Sequence, residues 1–171
     1  MTKTIENLKA AFAGESQARN KYTYFAKVAR KEGYHYIAKI FEETAMNEMQ
    51  HAKDEFKLLN GIGDTLANLK AAMEGEHYET SEMYPTFAKE AEAEGNEKAA
   101  RLFRAIGKVE KEHEERYKKL LALVEANKVF ERDEEIRWTC GKCGHVHTGN
   151  HPPEKCPSCK HPQGYFEPED F

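Results

Sequence analysis

The chain has 171 residues, 39% hydrophobic and 33% charged, with a net charge of −4; that is enough for one domain and a small second one. It opens on no secretion-signal pattern and has no apolar run long enough to span a bilayer, so a cytoplasmic, non-membrane protein is expected. The first 127 residues hold 20 of the 26 Lys and Arg and 22 of the 30 Asp and Glu. Neither part has the basic surplus of a nucleic-acid binder.

In chain order, the apolar periodicity predicts four helices. The first, over about residues 4–31, carries an inward stripe of Ile5, Leu8, Phe12, Glu15, Arg19, Tyr22, Ala26 and Ala29 and closes at Glu32-Gly33. The second, over about 35–59, has the stripe Ile37, Phe41, Thr44, Glu48, His51, Glu55, Leu58 and stops at Asn60-Gly61-Ile62-Gly63. The third runs over about 65–94 and ends at Gly95; the fourth, over about 97–127, reads Ala99, Phe103, Ile106, Glu110, His113, Tyr117, Leu120, Val124. The pattern is an all-α four-helix bundle. Glu-x-x-His occurs on the inward face of both the second and fourth helices, where an unpaired carboxylate is costly. A metal at the centre of the bundle would neutralise them.

The two halves repeat. Phe25-Ala26-Lys27, Glu32-Gly33, Phe41, Glu48 and His51 recur 62 residues later as Phe87-Ala88-Lys89, Glu94-Gly95, Phe103, Glu110 and His113. Upstream, Gly14-Glu15 matches Gly75-Glu76 at 61 while Tyr22 matches Tyr84 at 62. One extra residue therefore lies between Glu76 and Tyr84, which predicts a π-bulge, with Pro85 denying Ser81 its usual amide donor and adding a kink. The repeat supplies Glu15 and Glu76, one from each odd helix, plus Glu48/His51 and Glu110/His113, the ligand set of a carboxylate-bridged dimetal bundle. Glu79 has no counterpart in the first half. Five carboxylates against two divalent ions leave one negative charge, and against two trivalent ions one positive charge. Such oxygen-rich ligands suit iron or manganese.

Arg19 and Glu55 are expected to find a salt bridge or the bundle end, and Tyr117 to be ordinary core. His35, His77, His145, His147, His151 and His161 read as surface residues. All four cysteines lie in the last 32 residues as Cys140-x-x-Cys143 and Cys156-x-x-Cys159. Without a secretion signal these are metal knuckles before they are disulfides, and their spacing fits iron or zinc. Ile136–Thr139 and Gly164–Glu167 read as short strands, with Trp138, Tyr165 and Phe166 packing a small core.

Gly14-Glu15-Ser16-Gln17-Ala18-Arg19, Glu48-x-x-His51, Gly75-Glu76-His77-Tyr78-Glu79, Met83-Tyr84-Pro85, Glu110-x-x-His113 and the paired Cys-x-x-Cys knuckles together resemble the rubrerythrin family over essentially the whole chain. The resemblance implies a ferritin-like di-iron bundle (1–130), oxo-bridged when oxidised, and a rubredoxin-like domain (131–171) with one iron held by the four thiolates of Cys140, Cys143, Cys156 and Cys159. It implies that Glu48 and Glu110 bridge the irons, with Glu15 and His51 at one and Glu76 and His113 at the other. Glu79 matches a carboxylate that ligates the first iron when oxidised and yields to the histidine matching His51 on reduction. Tyr22 and Tyr84 match tyrosines that hydrogen-bond ligand carboxylates, and His145 stands where rubredoxins usually carry an aromatic. The implied activity is reduction of hydrogen peroxide to water in defence against oxidative stress, with electrons from an external donor, a rubredoxin or an NAD(P)H-dependent reductase.

A ferritin-like bundle needs a long crossover between its hairpins. Only Asn60 to Asp64 is available, about 18 Å at full extension, against roughly 40 Å of helix. A domain-swapped homodimer, or a larger assembly built from it, is therefore expected, with an up-down-up-down bundle as the competitor. Two other functions remain open: oxidation of ferrous iron with oxygen, as in ferritins, and a zinc ribbon that binds a protein partner beside a structural bundle.

Overall fold

A computed structural model describes residues 2–171. The helical region comprises α1 (Lys3–Lys31), α2 (His35–Leu58), α3 (Thr65–Tyr78), a π-helical segment (Glu79–Met83), α4 (Tyr84–Ala93) and α5 (Glu97–Glu125). Strands β1 (Ile136–Cys140), β2 (Val146–Gly149) and β3 (Phe166–Pro168) follow, with a 3-10 turn at Gln163–Tyr165. Because α3, the π segment and α4 run on without a break, there are four helical legs, as the periodicity predicts. The chain divides into two compact units, one ending at Asp64 and one beginning at Thr65.

In the first unit, α1 and α2 form a helical hairpin. The Thr2 hydroxyl accepts from the Ile5 N–H at 3.4 Å and caps α1. At the other end Gly33 takes φ +87°, so that its own N–H reaches Arg30 O and the Tyr34 N–H reaches Ala29 O at 2.8 Å. That closure needs a residue free to adopt the left-handed region. The buried seam between the helices is alanine: Ala26, Ala29, Ala38, Ala45 and Ala52. Here the structure corrects the expected core, since Ile37 is 47% and Leu58 67% exposed. The large residues of the stripe lie on a face of the hairpin that its own two helices leave open. The small ones let the helices approach.

The second unit repeats this construction. Ala88, Ala91 and Ala100 form its seam at the positions of Ala26, Ala29 and Ala38, and Gly95 (φ +74°) makes the same turn, with the Asn96 N–H on Ala91 O at 2.7 Å. The Asn96 side chain then caps α5 by accepting from the Ala99 N–H at 3.1 Å. Aromatic rings repeat as well: Phe25–Phe41 centroids lie 5.6 Å apart and Phe87–Phe103 5.7 Å. An ion pair at the turn end keeps its place and reverses its sign, Arg30 with Glu42 in the first hairpin and Glu92 with Arg104 in the second.

The expected π-bulge is present. The Tyr84 N–H bonds to Glu79 O, five residues back, which absorbs the extra residue. Pro85, in the first turn of α4, has no N–H to offer Ser81.

The C-terminal sheet has the order β2-β1-β3, antiparallel throughout. Its core is Trp138, Cys140, Cys156 and Phe166, with Phe130, Ile136 and Cys159 against it. The Trp138 indole N–H donates to Gly149 O at 2.9 Å and the Arg132 guanidinium sits 5.3 Å from its ring centroid. Arg132 also holds both carboxylate oxygens of Asp170, at 2.7 and 3.2 Å. Three expectations change. Gly164-Tyr165 is 3-10 turn, with the strand beginning at Phe166; Tyr165 is 41% exposed and not core; and β2 is an additional strand. Among the described residues no helix is long and apolar enough to cross a membrane.

Candidate metal centres

Glu15 on α1 meets Glu48 and His51 on α2, with one donor atom from each within 4.8 Å of the others. His51 Nδ1 lies 2.8 Å from Glu48 Oε2. In the second unit Glu76 on α3 meets Glu110 and His113 on α5 in the same way, with His113 Nδ1 2.6 Å from Glu110 Oε2 and 3.8 Å from Glu76 Oε2. In both sets it is Nδ1 that faces the carboxylates, and the Glu and His meet because they lie three apart on one helical face. Six of the expected ligands thus form two matching Glu/Glu/His half-sites, one per hairpin.

The electrostatics fit a cation. A hydrogen bond with Glu48, then burial and the Glu48 charge, raise the Glu15 carboxyl above its ordinary range. Burial first and Glu110 second raise that of Glu76. Like charges crowded together favour a shared proton or a metal, and two carboxylates with an imidazole suit a hard or borderline ion.

Glu79 is half-buried on the π segment, outside the triplet of donors, yet near enough for its charge to act on Glu76 and Tyr84. Burial, then Glu79, Glu110 and Glu76, hold the Tyr84 phenol above its usual value, so it keeps its proton beside three carboxylates. Tyr22 packs at a tilt on Phe41, with centroids 6.1 Å apart, and Tyr84 likewise on Phe103 at 6.2 Å. Gly107 accommodates Tyr84 closely: a Cβ there would lie 3.1 Å from Tyr84 Cβ.

Other expected residues behave differently. Among the described residues Glu55 finds no salt bridge; its Oε2 is buried without a partner there, as is the Thr80 hydroxyl on the π segment. His77 is on the surface as expected but bonds through Nδ1 to the buried Glu114 at 2.9 Å. Sequence reasoning missed Glu114, although the repeat offered a signal. It occupies the seam position of Ala52, where a carboxylate is out of place.

The four cysteine sulfurs converge within 4.8 Å of one another. Cys140 and Cys159 Sγ lie 3.7 Å apart, as do Cys143 and Cys156 Sγ. Four sulfurs about 2.3 Å from a tetrahedral metal would stand roughly 3.8 Å apart. The two knuckles are built alike: the Cys140 N–H donates to His145 O and the Cys156 N–H to His161 O, both at 2.8 Å. The His145 amide N–H, then Cys159, lower the Cys143 thiol. At Cys156 burial opposes ionisation, but the Cys159 and Ser158 amides outweigh it and bring the thiol to about 7. At Cys159 the His161 amide lowers the thiol, whereas burial and the three neighbouring cysteines together push it up to about 12. One sulfur ionises at the expense of the next, which a metal ion would relieve. His161 is not a free surface residue; its Nδ1 lies 3.3 Å from Cys159 Sγ and its ring packs edge-on to Tyr165.

These centres coincide with two family matches. Residues 6–121 match the rubrerythrin family model and residues 138–167 that of the rubrerythrin rubredoxin-like domain. The chain belongs to the rubrerythrin family. It is 50% identical to a rubrerythrin-like protein of Methanocaldococcus jannaschii, over 98% of this chain and 93% of the relative. It is 52% identical to rubrerythrin-1 of Clostridium acetobutylicum, over 97% and 94% of the two chains, and 52% identical to the rubrerythrin of Porphyromonas gingivalis, over 98% and 90%. With the family comes the fold class, a ferritin-like bundle with a small rubredoxin-like domain. The cofactor sites follow it: the four cysteines form the rubredoxin-like site, and the Glu/His groups have the composition of a di-iron site.

Proposed function

We propose that this rubrerythrin-family chain reduces hydrogen peroxide to water, with electrons relayed through its four-cysteine centre from an external donor, a rubredoxin or an NAD(P)H-dependent reductase. The observation that carries this reading is the presence in one chain of two matching Glu/Glu/His sets and a four-thiol site with tetrahedral spacing. A storage ferroxidase has no need of the second. A pair of irons held by the carboxylates would supply peroxide with two electrons at one encounter, giving two waters with two protons, and an iron among the four thiolates would return the electrons singly.

The residues of the chain supply the rest. Glu48 and Glu110 would be shared by the metal pair, with Glu15 and His51 holding one side and Glu76 and His113 the other. Tyr84, kept protonated by burial and the carboxylates around it, presents a hydrogen-bond donor where oxygen atoms gather. Tyr22 does the same from the first hairpin. Glu79, carried on the π segment, would offer a further carboxylate to the first metal when it is oxidised. In the small domain, which takes in residues 131–171 with Phe130 packed on its core, amide N–H groups stabilise the thiolates. The bundle is then 1–130 and its working place the cytoplasm.

The working unit is a domain-swapped homodimer. The open apolar faces of both hairpins and the short Asn60–Asp64 connection support it, each site drawing one Glu/Glu/His set from either chain. Co-refolding a Glu15/Glu48 double mutant with a Glu76/Glu110 double mutant should restore one intact site per heterodimer; an unswapped bundle restores none.

The activity is tested anaerobically by reducing the iron-loaded protein, adding stoichiometric peroxide and following the visible thiolate-to-iron band against an aerobic run. Fast return with peroxide and slow return with oxygen is the expected result. Faster return with oxygen would favour iron oxidation, and absence of the band would mean zinc in the tail.

A further inference from the structure

Glu114 is the one charged side chain buried among the described residues, at 5% exposure. A carboxylate there must be paired, and its Oε1 takes two donors: Lys118 Nζ at 2.7 Å, one turn on along α5, and His77 Nδ1 at 2.9 Å, across on α3. His77 directly follows Glu76 and Glu114 directly follows His113. The bond therefore ties α3 to α5 one residue beyond a candidate ligand on each helix, rotated about 100° away from the ligand face. Lys118 anchors the carboxylate from below. His77, 64% exposed at its side chain, closes the link from the outer side.

The first hairpin has nothing of the kind. Ser16 stands where the repeat places His77, and Ala52, a seam residue, where it places Glu114. At that level of the first hairpin the seam is alanine, with no charged side chain among the described residues buried in it. With this contrast, we infer that Glu114, held by His77 and Lys118, is a positioning residue that fixes the spacing of Glu76 and His113, so that the second half-site is formed before metal arrives while the first is free to adjust. This rests on the ligand assignment above. A network of this type, one bond removed from the ligands, acts on metal affinity through their orientation.

The test is anaerobic titration of the metal-free full-length dimer with ferrous iron against a competing chelator, together with Mössbauer spectra of the loaded helical site. Glu114→Ala and His77→Ala should each weaken one of the two helical ions by about ten- to a hundredfold and change its quadrupole doublet, leaving the other ion and the four-cysteine centre as they are. Glu114→Gln, which keeps an acceptor oxygen, should recover most of the loss. If Glu114→Ala does not fold, the exposed His77→Ala variant decides. Wild-type affinity and spectra in a folded His77→Ala protein overturn the inference. His113→Ala is the control: an ion lost there but kept in the clamp variants sinks the clamp alone, and no change even in His113→Ala removes the ligand assignment together with the clamp.

Discussion

The two hairpins are near copies in scaffold and unlike in what they do with it. Alanine seams, left-handed glycine turns, ring pairs and Glu-x-x-His recur at one offset. What differs is local to the site: a π segment carrying Glu79 and a buried Glu114 in the second hairpin, and an unpartnered Glu55 in the first, where the second has Tyr117. Repeated residues build the two hairpins, and unrepeated ones give their two Glu/Glu/His sets different surroundings.

The largest effects should follow removal of the shared features. Glu48→Ala and Glu110→Ala should each lower peroxide turnover by more than about a hundredfold and reduce the iron content of the helical site, measured by metal analysis. Equal losses sharpen the symmetry of the two half-sites, and indifference to either substitution breaks it. Removing an unrepeated residue should do less. Glu79→Ala should slow turnover by roughly tenfold while both helical irons stay bound; loss of the irons would make Glu79 a holding ligand rather than a moving one.

Stability probes come next. Glu55→Leu removes a buried oxygen without a partner and should stabilise the protein by about 1 kcal/mol in urea unfolding. A decrease instead would show that assembly gives Glu55 a partner.

Titration of the metal-free protein gives the smallest signal. Glu15 and Glu76 have folded values raised above 4.5, so the folded state takes up protons first and thermal stability should rise as pH falls from neutrality toward about 4.5. Glu114, lowered by Lys118 and His77, and Asp170, lowered by Arg132, act in the opposite sense. Their contribution is whole above the unfolded value and is lost as pH falls below it through the depressed folded values. A melting-temperature maximum near the ordinary carboxylate range is expected, and it should vanish when metal is bound, because protons then compete with metal for the same oxygens.

The helices and the convergence of both Glu/Glu/His groups were legible because they rest largely on local periodicity: Glu48 and His51 share a face whatever the surroundings. The π segment was legible from a change in repeat offset alone. The seam was not, because Ile37 and Ala38 are both apolar and periodicity does not say which neighbour a helical face meets. The sequence marks His77 as exposed but not as a participant, since its partner lies 37 residues away and nothing local marks the pair. In the tail the thiol positions followed from spacing, but β2 is too short and too polar to read as a strand, and Tyr165 looked like core only because it is aromatic.

The alanine seam has a further consequence. Alanine buries little apolar area per residue, so a hairpin sealed by it gains little from closing on itself, and most of the apolar stripe is satisfied only on meeting another hairpin. In the proposed domain-swapped dimer, folding, pairing and formation of a complete metal site should then be one event with second-order kinetics. Newly made chains would be competent to hold iron only above a threshold of their own concentration, and dilution would weaken the grip on metal without altering any ligand.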